Sequence, residues 1–160
     1  SWKAKMLLAE HSPIRLVEFE WTWGGIKQWV TTHIVRHHEG CEKMVHSQRD
    51  DRRAILEEYG VETRDQLPQG AENDMDMSAN AQALINISRK RLCNCASPET
   101  RAAWKQVQEA IRKVDPIMAE KMVPECIYRG FCPEFMNPCG YSKTPQFEEA
   151  LRKYRNTQYE

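Results

Sequence analysis

Between Ser78 and Cys95 runs a segment with few helix breakers, and its periodicity constrains the fold more than any other stretch. Wound at about 100° per residue, Asn80, Leu84, Ile87 and Arg91 share one face, with Ala81, Ile85 and Leu92 beside it. Ser78 is placed to cap such a helix. Gln82, Asn86 and Arg89 fall on its polar side. Arg91 therefore sits within the apolar stripe, where a guanidinium needs a partner because an unpaired buried charge is costly. That partner is a carboxylate of the protein or the oxygens of a ligand, and periodicity leaves both open.

Upstream, residues 3–11 read as a short helix. From Ile14 the pattern alternates: Val17, Phe19, Trp21 and Trp23 point one way, and Leu16, Glu18, Glu20 and Thr22 the other. This predicts a strand with one buried face, ended by Gly24-Gly25. A helix is expected over 26–38, with Ile26, Trp29, Val30, His33, Ile34 and His37 on one side. His33 and His37, four apart, then share a face at a spacing that can hold a metal, although the H-E-x-x-H pattern is absent. Gly40 breaks this helix, and a loop or short strand follows. Asp50 to Tyr59 is a helix closed by Gly60, and 72–77 is polar and Met-rich without a clear period.

Ser97-Pro98 opens a further helix with a cap and a proline in its first turn. Thr100, Trp104, Val107, Ile111 and Val114 form its apolar face. Pro116 starts a short helix, 124–141 reads as an irregular packed loop, and Thr144-Pro145 starts a last helix to about Arg155. With no repeat and no linker, one domain over 1–160 is expected.

Lys+Arg and Asp+Glu both number 23, which argues against bulk electrostatic binding to nucleic acid or anionic lipid. No apolar run approaches the roughly 20 residues of a membrane span. Ser1-Trp-Lys-Ala-Lys does not open a signal peptide, and the missing initiator Met is read as a trimmed start. The six cysteines are accordingly expected to be reduced thiols in a cytoplasmic protein. Cys126, Cys132 and Cys139 lack the C-x2-C spacing of a zinc knuckle. They are expected to pack or hold a structural ion, and no metal is assigned to the site.

Four polar clusters carry the chemistry: Arg36-His37-His38, Ser47-Gln48-Arg49, Arg64-Asp-Gln-Leu-Pro68 and Asn80…Asn86…Arg91. The first two supply cations and a hydroxyl suited to a phosphate, and Arg64 adds a second clamp. The asparagines can offer paired donors and acceptors to a heterocycle.

In this order the clusters resemble the flavin-dependent thymidylate synthase family. Its Arg-His-Arg…Ser-x-Arg signature is matched by Arg36-His37-His38 and, eight residues on, Ser47-Gln48-Arg49. Its Arg-x-x-Leu-Pro is matched by Arg64 to Pro68. Its Asn-Ala-Arg-x-Leu-x-Asn/His-x-x-x-x-Arg is matched by Asn80-Ala-Gln-Ala-Leu-Ile-Asn86-Ile-Ser-Arg-Lys-Arg91. Ser12-Pro13 and the strand after it resemble the family's upstream Thr/Ser-Pro segment.

The resemblance implies an α+β fold, a small mostly antiparallel sheet packed by helices, in a homotetramer with sites where subunits meet. It implies conversion of dUMP to dTMP with FAD bound, methylenetetrahydrofolate giving the carbon and NADPH the hydride. Arg91 would be catalytic, favouring the ionised N3 of the uracil and so activating C5. His33, Arg36, Ser47, Arg49, Arg64 and Arg91 would bind the nucleotide. Ser12, Arg36, His37, His38, Asn80, Gln82 and Asn86 would contact FAD. The sequence departs from the family pattern at several points. His38 and Gln82 stand where the family has arginines, one extra residue precedes Ser47, and the step from Arg49 to Arg64 is short. Alternatives are C5 methylation or hydroxymethylation of dCMP or UMP, a metal-binding protein, and a catalytically silent nucleotide-binding member.

Overall fold

The aperiodic Met-rich stretch folds as the central strand of the protein's sheet. In the computed structural model, which describes residues 1–159, β1 (Glu18–Lys27), β2 (Cys41–Val45) and β3 (Glu72–Asn80) form one antiparallel sheet in the order β1-β3-β2. Along β3, Met75, Met77 and Ala79 are buried while Glu72 and Asp74 are exposed and Asp76 and Ser78 half-buried. Alternation is therefore present, but it is carried by Met and Ala, which are weak strand formers.

Two compact units share the chain. One comprises Ser1–Phe19 with the chain from Ala79 onward; the other is Glu20–Ser78. The second holds most of the sheet, with α2 (Gln28–Ile34) and α3 (Arg53–Tyr59). Trp23, Ile26, Val30, Ile34, Leu56 and Met75 are among its buried residues. The first unit holds α1 (Trp2–Leu8), α4 (Ala81–Arg91), α5 (Pro98–Val114), α6 (Pro116–Lys121), α7 (Glu125–Arg129) and α8 (Pro145–Arg155). There α4 packs on α5 and α7, α6 on α1 and α5, and α8 on α6 and α7.

Several expected boundaries move. Ser12–Leu16 is a 3₁₀ turn, so the strand starts later than Ile14. It also runs through Gly24-Gly25: Gly25 takes φ +81°, and a Cβ there would lie 2.9 Å from Glu72 Oε2. Glycine is what lets the strand continue. Helix α2 stops at Ile34. The hydroxyls of Thr31 and Thr32 donate back to Gln28 O and Trp29 O, both at 2.6 Å, a pairing that competes with helix propagation. Hence His37 lies in the turn before β2, and His33 and His37 do not share a helical face. The loop expected over 124–141 contains α7, closed by Gly130 at φ 82°. The helices begun at Pro98, Pro116 and Pro145 match expectation. Ser97, Asp115 and Thr144 cap them, each accepting a backbone N–H.

Candidate functional site

Helix α4 begins at Asn80, not Ser78. Asn80 Oδ1 accepts the Ala83 N–H at 2.9 Å, while Ser78 is still extended in β3. The side chain expected to meet a cofactor thus also caps the helix. Ala81, Ala83, Leu84, Ile85, Ile87 and Ser88 are all buried, so α4 is enclosed on more than one face. At its centre Trp104 Nε1 donates to Ser88 Oγ at 2.8 Å.

The polar stripe of α4 is committed inside the first unit. Gln82 Nε2 donates to Glu10 Oε1 at 2.5 Å and to Asn86 Oδ1 at 3.3 Å. The Tyr128 hydroxyl donates to the other Glu10 oxygen. Arg89 forms a two-point ion pair with the buried Glu125, Nε to Oε2 at 2.8 Å and Nη2 to Oε1 at 2.9 Å. It also stacks 4.1 Å over the Tyr128 ring. Arg129 adds a bond to Glu125 at 2.5 Å. Arg89 above all, then Arg129, hold the Glu125 carboxyl at about 2. Periodicity had set Arg89 on the polar side without a partner. The missed signal was a carboxylate, Glu125, in a segment read as loop.

Arg91 ends α4, half-buried, and lines a cleft of about 720 Å³ in the first unit. Cys93, Cys95, Cys126, Cys132 and Cys139 line the same cleft. Burial first, and then the neighbouring thiols, push Cys126 up to about 11, so it is a poor nucleophile at neutral pH. Ser12 is exposed in the 3₁₀ turn that packs on α4.

In the second unit, Ser47 and Arg49 follow β2, and Arg64 opens a 3₁₀ turn. Asp50 Oδ1 accepts the Arg64 N–H at 2.8 Å, which draws Arg64 to the Ser47–Arg49 segment. Arg49 pairs with Asp51 at 3.3 Å, both exposed. Nearby, Ser47, Gln48 and Arg52 line a cleft of about 370 Å³ with Asn73 and Asp74. Arg36 and His38 are exposed in the turn before β2. The His37 carbonyl accepts from Lys43 Nζ. His33 is half-buried, its ring edge-on to Trp29 at 5.6 Å. Thus the Arg64 backbone is tied to Asp50, next to Arg49, while Ser47 lines a cleft that neither arginine lines. Arg36–His38 and Ser47–Arg49 lie at opposite ends of β2, whose five residues span about 17 Å.

Among the described residues no helix is long and apolar enough to cross a membrane. A sequence model of the family described as thymidylate synthase complementing protein matches residues 57–117. Two curated relatives are named flavin-dependent thymidylate synthase. That of Saccharolobus solfataricus is 35% identical over 96 residues, 58% of this chain and 36% of the relative. That of Sulfurisphaera tokodaii is 39% identical over 62 residues, 38% of this chain and 24% of the relative. The matches thus span about a third or less of each relative's length.

Proposed function

Because the chain belongs to the flavin-dependent thymidylate synthase family, we propose that it methylates dUMP to dTMP. Methylenetetrahydrofolate is the carbon donor, FAD the bound electron carrier and NADPH the reductant. One observation carries this reading. The ordered set Arg64, Asn80, Asn86 and Arg91 falls inside the matched segment 57–117, and α4 sets Arg91 at the edge of a cleft. Arg91 polarises the uracil, a role a fixed cation fills without any proton transfer of its own. Arg64, Ser47 and Arg49 hold the phosphate, with His33 beside the nucleotide. Arg36, His37, His38, Ser12, Asn80, Gln82 and Asn86 face the flavin. The separation of Arg36–His38 from Ser47–Arg49 along β2 supports sites completed by another copy, in a homotetramer. The two units act as one catalytic domain, in the cytoplasm.

A second reading is a member that binds nucleotide without flavin. It is favoured by Gln82, which stands where the family has an arginine and whose amide bonds Glu10 and Asn86.

Titration with FAD and then dUMP, followed by the flavin's visible absorbance, tests the first reading. Tritium release from C5-labelled dUMP, with dCMP and UMP as competitors, fixes the substrate. Saturable FAD binding at about micromolar concentration and tritium release that Arg91→Ala abolishes are expected. No flavin binding in that range sinks the proposal in favour of the second reading.

A further inference from the structure

Five of the six cysteines line one cleft in the first unit. The nucleotide chemistry proposed above uses none of them. Cys93 follows the end of α4, Cys126 stands in α7, and Cys132 and Cys139 bracket the irregular loop beyond it. Two contacts lace the segment after α4 to the loop: Asn94 Nδ2 lies 3.8 Å from Cys139 Sγ, and Cys95 Sγ lies 3.6 Å from Asn137 O.

Packing does not explain this arrangement. Cysteine used as a small hydrophobe is buried, yet Cys95 and Cys139 are exposed and Cys93, Cys126 and Cys132 only half-buried. Nor does burial hold the loop, because Phe131, Phe135 and Met136 are all exposed.

We propose that Cys93, Cys126, Cys132 and Cys139 form a metal centre that takes a thiophilic metal, as zinc or an iron–sulfur cluster, and staples the loop to α4 and α7. Four thiolates suit both zinc and iron–sulfur ligation. Each ligating thiol gives its proton to solvent as the metal–sulfur bond forms. The four thiolates leave the centre with net negative charge, and Lys105 lines the same cleft to offset it. As the side chains stand, no three His, Cys, Asp or Glu among the described residues converge tightly enough to hold a single ion. Closing the centre therefore requires rotation of the cysteines about χ1 between staggered wells, with the loop drawn inward. Cys95 is the reserve thiol, next to Cys93.

The test is elemental analysis and acid-labile sulfide assay of the full chain, grown with zinc and iron and purified anaerobically without chelator. About one zinc per chain, or iron with matching sulfide, is expected. Cys126→Ser and Cys132→Ser should each lower the bound metal at least about tenfold, while Cys41→Ser, in the second unit, keeps it. Cys132→His retains a ligand, so it should keep zinc if zinc is the metal and lose an iron–sulfur cluster if that is the occupant. Metal removal should also speed protease cleavage within 131–139, a readout independent of flavin or nucleotide. The proposal is overturned if the chain stays metal-free after reconstitution with zinc and with iron and sulfide. It is equally overturned if both serine variants keep the metal, or if these thiols prove paired as disulfides. Flavin and dUMP titrations are scored separately, so either proposal can fail without the other.

Discussion

Arg89 and Arg91 stand two residues apart near the end of one helix, and exchanging each for Met separates a structural cation from the one proposed to bind ligand. Arg89→Met removes both bonds from Glu125, a side chain 6% exposed. Stripping one partner from a buried pair costs about 3–5 kcal/mol. Arg129 still reaches the carboxylate at 2.5 Å, which favours the lower end of that range. Losing the stack over Tyr128 adds about 0.5–1 kcal/mol. The expected loss is thus about 3–4 kcal/mol, a large part of the roughly 5–15 kcal/mol that holds a domain together. Arg91→Met should abolish the dUMP-dependent change in the flavin spectrum. Urea unfolding followed by tryptophan fluorescence, under reducing conditions, measures both variants. Trp104 reports on α4 through its bond to Ser88. A loss below about 1 kcal/mol for Arg89→Met would refute the buried-pair argument. Retention of that spectral change in Arg91→Met would refute the division of roles.

Three further outcomes rest on single contacts. Lys121, buried, donates to Tyr154 O at 2.5 Å and Asn156 O at 2.8 Å. Lys121→Met should cost about 2–4 kcal/mol, since losing charge-assisted bonds to two carbonyls outweighs the relief of burying an ammonium, and should hasten proteolysis after Tyr154. Asn80→Ala removes the cap of α4 and should cost about 1 kcal/mol by urea unfolding. Burial pushes the Tyr154 phenol up to about 12. Its neutral form therefore stabilises the fold below the ordinary tyrosine range, and that contribution is lost as pH rises toward 12. Alkaline absorbance titration should show late phenol ionisation, and Tyr154→Phe should lower its amplitude by one phenol, the raised Tyr159 still titrating late.

Legibility in the sequence followed from how local each signal was. The proline-started helices at Pro98, Pro116 and Pro145 were readable because cap and proline are adjacent in sequence. The antiparallel α+β architecture followed from the family resemblance. Strand β3 was not readable, because Met75, Met77 and Ala79 alternate among acids without strand-forming residues. The length of α2 was not readable either, since Thr31 and Thr32 end it through bonds that depend on side-chain rotamer. At the candidate site, the Arg64 backbone is held by Asp50, fourteen residues away. The commitment of Arg89 depends on Glu125, thirty-six residues away. Long-range partners of this kind leave no periodic trace. The cysteine wall was half visible: the spacing of Cys126, Cys132 and Cys139 was noted, but only the fold brings Cys93 and Cys95 beside them.

Gln82 offers the sharpest test of whether a departure from the family pattern is a loss or a replacement. Restoring arginine there does not simply restore a flavin contact, because Glu10 lies 2.5 Å from the Gln82 amide. An arginine placed at Gln82 meets that carboxylate first, and a charged pair outcompetes a more distant diphosphate. Gln82→Arg alone should therefore raise stability by up to about 1 kcal/mol and change flavin affinity less than about twofold. Combined with Glu10→Gln, which removes the competing charge and keeps a hydrogen-bonding partner for Tyr128, the new arginine is released. Flavin affinity should then rise about tenfold or more, the 1–3 kcal/mol of a charge-assisted contact. Tight flavin binding by Gln82→Arg alone would show that Glu10 does not hold this position. No gain even in the double variant would show that this face of α4 does not meet the cofactor, and would move the flavin contacts away from Gln82 and Asn86.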